Sequence, residues 1–428
     1  MQMKRFLKNN LIIIGLCLGF ISCSSEQKYV ETENLQGELM VTDSLNAGAN
    51  PSILADSVWL LSSFSNKFNT NVSVQKGDSL KTKTLAFMRG AGHGEYDKTA
   101  FAVSSDKSLY VLNCSSNGNK IYSLSRVAQA KWLNGNYKID ESYDLTKLPA
   151  LRYIPGNYIM LSDSTFLICG APYSQIEHIF TVVNFKKSTL TPLNYWPKDK
   201  NQKGGLAKHS VYTDNASIFR NKDKFLYLCG WERYAFLFKI DEGNVEVEKE
   251  LYSEKLDYKE IADGNYAPTK ISGKSLRMDA NQKAIYVFLI EKNKEGQEPK
   301  NYMESQFGNE VEVYDWDGKL LRHIILDKVG YNIKVSDDNK CLYLFTMNTK
   351  SNAHEIWQYQ LWKYVKCLFD FKVAFGIKKN VYEENNFSVK SDAIESMAND
   401  PNYRQKSYSW LVLDEFVAQY VAQLLVET

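Results

Sequence analysis

The stretch Asp106-Lys-Ser-Leu-Tyr-Val-Leu112 is one copy of a pattern that returns along the chain: an aspartate followed by a short apolar and aromatic run. Equivalent aspartates open five further copies, at Asp56, Asp163, Asp223, Asp279 and Asp337. The steps between successive copies are 50, 57, 60, 56 and 58 residues. A hairpin-sized unit at a nearly fixed period indicates one supersecondary element built six times. We therefore predict an all-β protein, a six-bladed antiparallel β-propeller.

Each repeat holds short runs of aromatic and β-branched residues separated by turn-forming residues, which is strand-and-turn spacing. For the second repeat the predicted strands are Ala100–Ser104, Ser108–Asn113, Lys120–Arg126 and Trp132–Tyr143. An aspartate fixes a tight turn because its carboxylate accepts a hydrogen bond from the backbone two residues on. The six repeated aspartates are accordingly interpreted as turn formers and not as catalytic groups.

Ring closure needs a strand from outside the repeats. The sixth repeat, counted to Leu361, shows one strand fewer than a complete blade. A propeller that does not close leaves an edge with unpaired N–H and C=O groups. We expect Glu38–Leu45 to pair antiparallel with the edge near Glu355–Leu361. The predicted propeller therefore spans residues 36–361.

The N-terminus has the features of an export signal. Three cations precede an apolar run from Leu11 to Ile21, which is too short to span a bilayer comfortably. Ser22-Cys23 follows and resembles a bacterial lipobox, which implies removal of residues 1–22 and a lipid on Cys23. Residues 23–35 are then a tether, and Ser24 favours sorting to the outer membrane. The alternative is an ordinary secreted protein cleaved nearby.

The charge balance argues against nucleic acid as a partner. The formal net charge is +2, and loss of Lys4, Arg5 and Lys8 with the signal leaves −1. A nearly neutral chain with interspersed charges has no field to hold a polyanion. Membrane attachment is instead expected through the lipid on Cys23.

The C-terminal residues 362–428 do not carry the repeat. They contain apolar residues at helical spacing: Leu413, Phe416, Val417, Tyr420, Val421, Leu424 and Leu425. We predict a C-terminal extension with an amphipathic helix. It packs on the propeller, binds a partner, or is an appended segment foreign to the fold.

Five cysteines remain after Cys17 and Cys23: Cys114, Cys169, Cys229, Cys341 and Cys367. Cys169 and Cys229 occupy equivalent places in neighbouring repeats, so a disulfide between them is one possibility. Buried free thiols in apolar strands are the favoured interpretation.

The densest local signal is the loop Arg89-Gly-Ala-Gly-His-Gly-Glu95. A strand, and not a helix, is predicted after it, which argues against phosphate binding. The chain contains no His-Glu-x-x-His, no Gly-x-Ser-x-Gly and no histidines at metal-ligand spacing. We therefore predict no catalytic residues, no metal ligands and no cofactor from motifs.

The glycine loop resembles the Arg-Gly-x-Gly-Pro-Gly-Glu loop after the first blade of the TolB-like six-bladed propeller lipoproteins of Bacteroidota. The lipobox, the repeat period and Glu312-Val-Tyr-Asp-Trp-Asp-Gly-Lys-Leu320 are similar to that family as well. His93 stands where the family has proline. The resemblance covers roughly residues 23–361 and implies a fold and a cell-envelope location, but no reaction.

Loops that join one blade to the next line one mouth of a propeller channel. The candidate ligand-binding residues there are Arg89, His93, Glu95, Arg152, Tyr153, Lys208, His209 and Tyr266, with Arg277 near the end of an inner strand. Such residues suit an anionic or carbohydrate-like ligand. An alternative for Arg89 and Glu95 is that they pair to hold their own loop.

The functional prediction is a cell-envelope lipoprotein whose propeller presents this mouth to a glycan, peptide or protein partner. The alternative is a propeller hydrolase or lyase in which His93 or His209 is the base and a calcium ion in the channel assists. Catalytic sites of propellers are assembled from distant blades, so a missing local motif does not decide between the two.

Overall fold

The structure is a computed structural model. It describes residues 30, 32–42, 51–55, 58–62, 68–76, 79–90, 94–115, 119–200, 205–230, 232–261, 264–269, 274–291, 307–348 and 353–361. The chain divides into two compact units, Met1–Trp362 and Lys363–Thr428. The described residues all belong to the first unit, so the amphipathic helix predicted for the C-terminal extension lies outside them, as do Cys23 and the signal segment.

Strands dominate the described chain. The first two are β1 (Thr32–Leu35) and β2 (Glu38–Thr42). Sheet 1 contains β3 (Pro51–Ala55), β4 (Val58–Ser62), β5 (Phe68–Lys76) and β6 (Ser79–Met88). Sheet 2 contains β7 (Lys98–Val103), β8 (Leu109–Cys114), β9 (Ile121–Val127) and β10 (Glu141–Asp144). Sheet 3 contains β11 (Leu151–Met160), β12 (Thr165–Pro172), β13 (Phe180–Asn184) and β14 (Thr189–Pro192).

The second half of the chain continues the pattern. Sheet 4 contains β15 (Ala216–Asn221), β16 (Lys224–Cys229), β17 (Tyr234–Asp241) and β18 (Asn244–Ser253). A two-stranded sheet follows, β19 (Tyr258–Glu260) with β20 (Tyr266–Pro268). Sheet 5 contains β21 (Lys274–Ala280), β22 (Ile285–Glu291), β23 (Gly308–Tyr314) and β24 (Leu320–Gly330). Sheet 6 contains β25 (Asn332–Val335), β26 (Cys341–Asn348) and β27 (Ala353–Gln360).

Helices are few in the described chain. They are α1 (Gln129–Trp132), α2 (Leu206–Thr213) and a single 3-10 turn at Tyr173–Gln175. None of these helices has the length and apolarity that a bilayer crossing needs. The helix α1 corrects one prediction, because Trp132–Tyr143 was expected to be a single strand. The fourth strand of sheet 2 is only Glu141–Asp144.

The apolar run of each repeat becomes the second strand of its sheet. In β8 all six residues, Leu109–Cys114, are buried. A strand is buried on both faces only when layers cover both sides of its sheet. The continuous apolar pattern, without the alternation of a half-buried strand, follows from this double coverage.

Six apolar clusters of described residues lie between successive sheets. They join sheets 1 and 2, 2 and 3, 3 and 4, 4 and 5, and 5 and 6. The remaining cluster joins sheet 6 to sheet 1 through Trp59, whose ring lies 4.7 Å from that of Tyr343 in an edge-to-face arrangement. The fold is therefore an all-β antiparallel β-propeller, with its core distributed between neighbouring sheets.

The N-terminal segment completes two sheet edges. The prediction that Glu38–Leu45 pairs with the last repeat is confirmed for the strand β2, which pairs antiparallel with β27, Glu38 opposite Gln358 and Thr42 opposite Glu355. The expectation that residues 23–35 are only a tether is wrong for Thr32–Leu35. These four residues form β1, which pairs in parallel with β24 and makes sheet 5 five-stranded. Leu35 is buried in the core, which gives this polar strand an apolar anchor.

The repeated aspartates do not all form turns. Asp106 does, because it accepts hydrogen bonds from the Ser108 backbone N–H at 3.1 Å and from two serine hydroxyls. Asp279 does not, since it is buried and its neighbour Asn281 accepts the turn hydrogen bonds instead. Its carboxylate binds Lys334 Nζ at 2.9 Å and the Val335 N–H at 2.8 Å, both in sheet 6. Asp279 thus links sheets 5 and 6 through an ion pair and a hydrogen bond.

Candidate functional site

The two ends of the propeller differ in construction. In an up-and-down sheet the first and third turns lie at one end, here named the turn end. The loop after the second strand and the passage to the next sheet lie at the other, here named the connection end. The turn end has many short turns capped by side chains, such as Ser162, whose hydroxyl accepts the N–H groups of Ser164 and Thr165. The connection end carries α2, between β14 and β15, and the β19–β20 hairpin, between β18 and β21.

Two ionic groups, one partly buried and one fully buried, involve α2 and the residue that follows it, Asp214. In the first, Arg152 at the start of β11 donates from one guanidinium nitrogen to both carboxylate oxygens of Asp214, at 3.0 Å each. Its Nε donates to the hydroxyl of Ser210 at 3.1 Å. The guanidinium thereby fastens the helix to the inner strand of sheet 3.

Burial dominates the titration of this pair's acid. It raises the pKa of Asp214 to about 6, although the charge of Arg152 and its hydrogen bonds act in the opposite direction. Removal of a carboxylate from water disfavours its charged form, and the arginine offsets only part of that cost. The ion pair is therefore a fastening between elements more than a source of large net stability.

In the second group Lys208 Nζ lies 3.2 Å from Asp199 Oδ1, with the two side chains 4% and 3% exposed. The other carboxylate oxygen of Asp199 accepts hydrogen bonds from the hydroxyls of Tyr212 and Tyr258, at 3.0 and 3.2 Å. The ammonium also lies over the Trp196 ring, 5.0 Å from its centroid. A buried charge is tolerated only when it is paired and hydrogen-bonded. The Asp199 carboxylate is paired with Lys208 and accepts hydrogen bonds from the two tyrosine hydroxyls. Tyr258 begins β19, so this group connects α2 to the hairpin.

His209 lies between the two groups and is fully buried. Its Nδ1 is 3.3 Å from the hydroxyl of Thr213. Burial, and next the charge of Arg152, lower the pKa of His209 to about 3, against the effect of the His178 backbone carbonyl. The imidazole is therefore neutral at physiological pH and enclosed by protein.

These positions change the interpretation of two predicted ligand-binding residues. Lys208 and His209 do lie at the connection end, but both are buried within α2 and not presented to solvent. His209 is also poorly placed to be the base of a hydrolase or lyase, because its ring has no exposed surface. Arg152 is partly exposed and already engaged by Asp214. Arg152, Lys208 and His209 therefore hold α2 in place below the surface of the connection end.

The other predicted residues are spread around that end. Arg89 is exposed and Glu95 half-buried, on either side of the described part of the glycine loop. The Glu95 carboxylate folds over Gly90 so closely that a Cβ there would collide with it. Tyr266 is half-buried, with its ring 6.2 Å from that of Tyr258, and Arg277 Nη1 donates to the Leu276 carbonyl at 3.0 Å.

Two predicted residues cannot be placed as side chains. His93 lies outside the described residues. For Tyr153 the backbone is described, opposite Gly170 in sheet 3, but its side chain lies outside the description. The structure thus brings Arg152, Lys208 and His209 together around α2 and leaves Arg89, Glu95 and Arg277 on other sheets.

Sequence reasoning missed several members of these groups, among them Asp199, Ser210, Tyr212, Asp214 and Tyr258. One available signal was the pairing of polar residues at a spacing of four along the helix, as in Ser210 with Asp214. Residues at this spacing share a helix face. The residues between β14 and β15 are predicted as a loop because the strand-and-turn repeat dominates the sequence, whereas the structure has the helix α2 there.

The described site consists of the ionic groups around α2 together with exposed apolar side chains at the same end. Four exposed large apolar side chains of described residues belong to the connection end: Met88 at the end of β6, Tyr173 in the loop after β12, Ile261 in the β19–β20 turn, and Val329 near the end of β24. Within the described ranges no three His, Cys, Asp or Glu side chains are grouped so as to hold a metal ion. The described cysteines Cys114, Cys169, Cys229 and Cys341 are free thiols, so the favoured interpretation of the cysteines holds for these four.

Comparison with known proteins finds only distant structural similarity. No protein family and no curated protein matches the sequence. Among solved structures, a member of the DUF4221 family from Bacteroides vulgatus is 12% identical with a TM-score of 0.43, covering 78% of this chain and 99% of its own. A candidate exported protein from Bacteroides fragilis is 9% identical with a TM-score of 0.42, covering 78% and 100%. A gluconolactonase from Xanthomonas campestris is 11% identical with a TM-score of 0.35, covering 71% and 82%.

Proposed function

We propose that this protein is a non-enzymatic binding propeller of the cell envelope, anchored by a lipid on Cys23, whose connection end holds a glycan, peptide or protein partner. The observation that carries the proposal is the difference between the two ends. Among the described residues the turn end carries mostly short turns and the single short helix α1, between β9 and β10. The connection end carries the longer helix α2, the β19–β20 hairpin and the two ion pairs that hold them in place. A preorganised surface reduces the ordering cost of binding.

The exposed side chains of that end support the same function. Tyr173 and Ile261 are 47% and 46% exposed, and Arg89 is exposed near the start of the glycine loop. Aromatic and arginine side chains contribute most to the affinity of typical interfaces. They suit a sugar ring or a partner carboxylate equally well.

We also propose that the five four-stranded sheets and the five-stranded sheet are the six blades of one closed ring, as in the TolB-like propellers. The inner strands support this arrangement, because each of β3, β7, β11, β15 and β21 contacts the inner strand next in order. The cluster around Trp59 supplies the contact that closes the ring. An experimental structure with another number of blades would contradict this part of the proposal.

Binding is tested with the soluble form that begins after Cys23, immobilised and exposed to glycan arrays and to fractionated envelope proteins and peptides. The connection-end variant carries Arg89→Ala, Tyr173→Ala and Ile261→Ser, and the matched control carries Asp163→Ala and Lys187→Ala at the turn end. We expect about tenfold weaker binding of any captured ligand by the first variant, the scale for loss of one or two anchor side chains. Equal binding by both variants, or loss only in the control, contradicts the proposed face.

The anchor is tested separately by metabolic labelling with a clickable fatty acid. We expect label on the wild-type protein and none on Cys23→Ser, with the wild type alone in the membrane fraction. Equal membrane attachment of the two proteins, or an unlabelled wild type, contradicts the lipoprotein assignment.

A further inference from the structure

The direction in which the N-terminal segment joins the ring is defined by the register of β1. Thr32 lies opposite His323 and Leu35 opposite Leu326, in parallel. The strand β24 starts at the turn end, after the Asp315–Lys319 turn, and finishes at Gly330 at the connection end. A chain that runs parallel to β24 therefore enters the propeller from the turn end.

The entry point is held by specific contacts. Arg322 donates to the two carboxylate oxygens of Glu33 at 2.7 and 2.6 Å, and Thr32 Oγ1 lies 3.1 Å from His323 Nδ1. Arg322 is only 14% exposed, so this charge pair is partly shielded from solvent. Two-point hydrogen bonding of this kind fixes geometry as well as contributing energy. The strand β1 is thus a docked element of the ring.

Chain length then limits how the ring can sit on a membrane. Eight residues, 24–31, separate Cys23 from Thr32, and a fully extended chain of that length spans about 30 Å. His323 lies three residues from the start of β24 and seven from its end. The distances along the strand are therefore about 10 Å to the turn end and about 23 Å to the connection end. A tether that reached the connection end would have to reverse its direction. It would also use most of its extended length to cover that distance.

From this geometry we infer that the turn end of the propeller faces the lipid surface and that the connection end points away from it. The inference rests on the lipid anchor of the proposed function. It makes the partner a molecule that approaches from the side opposite the membrane, and it excludes the bilayer that holds the anchor as the ligand of the connection end.

Surface chemistry near the entry point is consistent with a membrane on that side. Leu39, on β2, and Leu321, on β24, are 47% and 43% exposed. Leu39 lies in the turn-end half of β2, the outer strand of sheet 6, and Leu321 lies in the turn-end half of β24, which is next to β1 in sheet 5. Exposed apolar side chains beside an anchored chain favour shallow contact with the headgroup region. Such contact would tilt the ring so that sheets 5 and 6 are nearest the lipid.

The test measures the distance of each end from a bilayer. Full-length lipidated protein is purified and reconstituted into phosphatidylcholine vesicles that contain a rhodamine-headgroup lipid. A donor dye is attached through an azide-bearing amino acid at position 163 or, in a separate protein, at position 173. Asp163 and Tyr173 flank the eight-residue strand β12, so the two dyes differ in height by about 26 Å when the strand stands upright.

We expect about twofold higher energy transfer from position 163 than from position 173, because transfer falls steeply over a height difference of about 26 Å. Equal transfer from the two positions, or higher transfer from position 173, overturns the inferred orientation while leaving the anchor intact. Failure of the wild-type protein to bind vesicles, or vesicle binding by Cys23→Ser, overturns the anchor and the orientation together.

Discussion

Residues at one position of the repeat have acquired different structural tasks. Asp106 caps its own turn, whereas Asp163 is 86% exposed and only pairs with Lys186. Asp279 is buried and binds Lys334 and Val335 of the neighbouring sheet. The same side chain thus varies from a local turn former to a tie between sheets, according to which backbone groups lie within its reach.

We predict that Asp279→Ala lowers the free energy of unfolding by about 3 kcal/mol, because it leaves the Lys334 ammonium and the Val335 N–H without their buried acceptor. The matched control is Asp163→Ala, at the equivalent position of another repeat. It should cost less than about 0.5 kcal/mol, as expected for an exposed ion pair. Urea unfolding of the two variants measures the difference, and similar losses would contradict the tie.

A pH-dependent prediction follows from His209. Its folded-state pKa of about 3 lies below its ordinary value of 6.5. Between these values the unfolded chain binds the proton and the folded protein does not, so the contribution of His209 to stability is lost as the pH falls through this window. Asp214 acts in the opposite direction between pH 3.8 and about 6, because its folded-state pKa is raised.

The comparison of wild type with His209→Gln at each pH removes the contribution of Asp214. We predict that the free energy of unfolding of the variant rises relative to that of the wild type as the pH falls from 6 to 4. The expected change is about 1.4 kcal/mol for each pH unit. Urea unfolding at several pH values gives the two curves. Parallel curves would mean that His209 titrates normally and is not enclosed.

At the scale of elements, one short segment serves two sheets. Between β1 and β2 only Gln36 and Gly37 intervene. The Gly37 N–H donates to Asp327 Oδ1 at 3.0 Å, and the Tyr359 hydroxyl donates to the same oxygen at 2.9 Å. Burial alone would raise the pKa of Asp327, but these hydrogen bonds and Lys328 lower it overall. The carboxylate therefore joins the crossing segment to sheets 5 and 6.

We predict that Gly37→Ala destabilises the protein by about 2 kcal/mol, the scale of overpacking, because its Cβ would lie 2.6 Å from the Tyr359 ring. In a Tyr359→Ala background the same substitution should cost much less, since the ring is gone. A double-mutant cycle by thermal or urea unfolding measures the coupling. Equal costs in the two backgrounds would show that the collision is avoided by movement of the segment.

Elements with strong apolar patterns were predictable from the sequence. The predicted strands Ser108–Asn113 and Lys120–Arg126 are observed as β8 and β9, each displaced by a single residue. The strand β1 was not predicted, because Thr-Glu-Asn-Leu has no apolar alternation and its parallel pairing depends on an edge some 290 residues away. The same limit applies to the candidate site. Lys208 and His209 were placed at the right end of the propeller, but their burial depends on Asp199 and Arg152, which no local pattern connects to them.

At the scale of the whole molecule, the ring depends on its N-terminal strand for closure. We predict that deletion of residues 36–45 lowers the melting temperature sharply, because it removes β2 and exposes the edge of β27. Deletion of residues 362–428 should lower it much less. Differential scanning calorimetry of the two deletions compares them, and the opposite ordering would show that the ring depends on the C-terminal extension.

The pairing of β2 with β27 has a consequence for the time course of biogenesis. Thr42 and its partner Glu355 are separated by 313 positions of sequence, the difference of their numbers. Contacts of such separation form slowly, because a long loop must close before they contribute. In the export that we propose, a chain that emerges N-terminus first presents β1 and β2 before any other strand, yet β2 has no partner until β27 has emerged. One of the two earliest strands is therefore the last to pair, and the emerging protein carries an unmatched strand until its last sheet is complete.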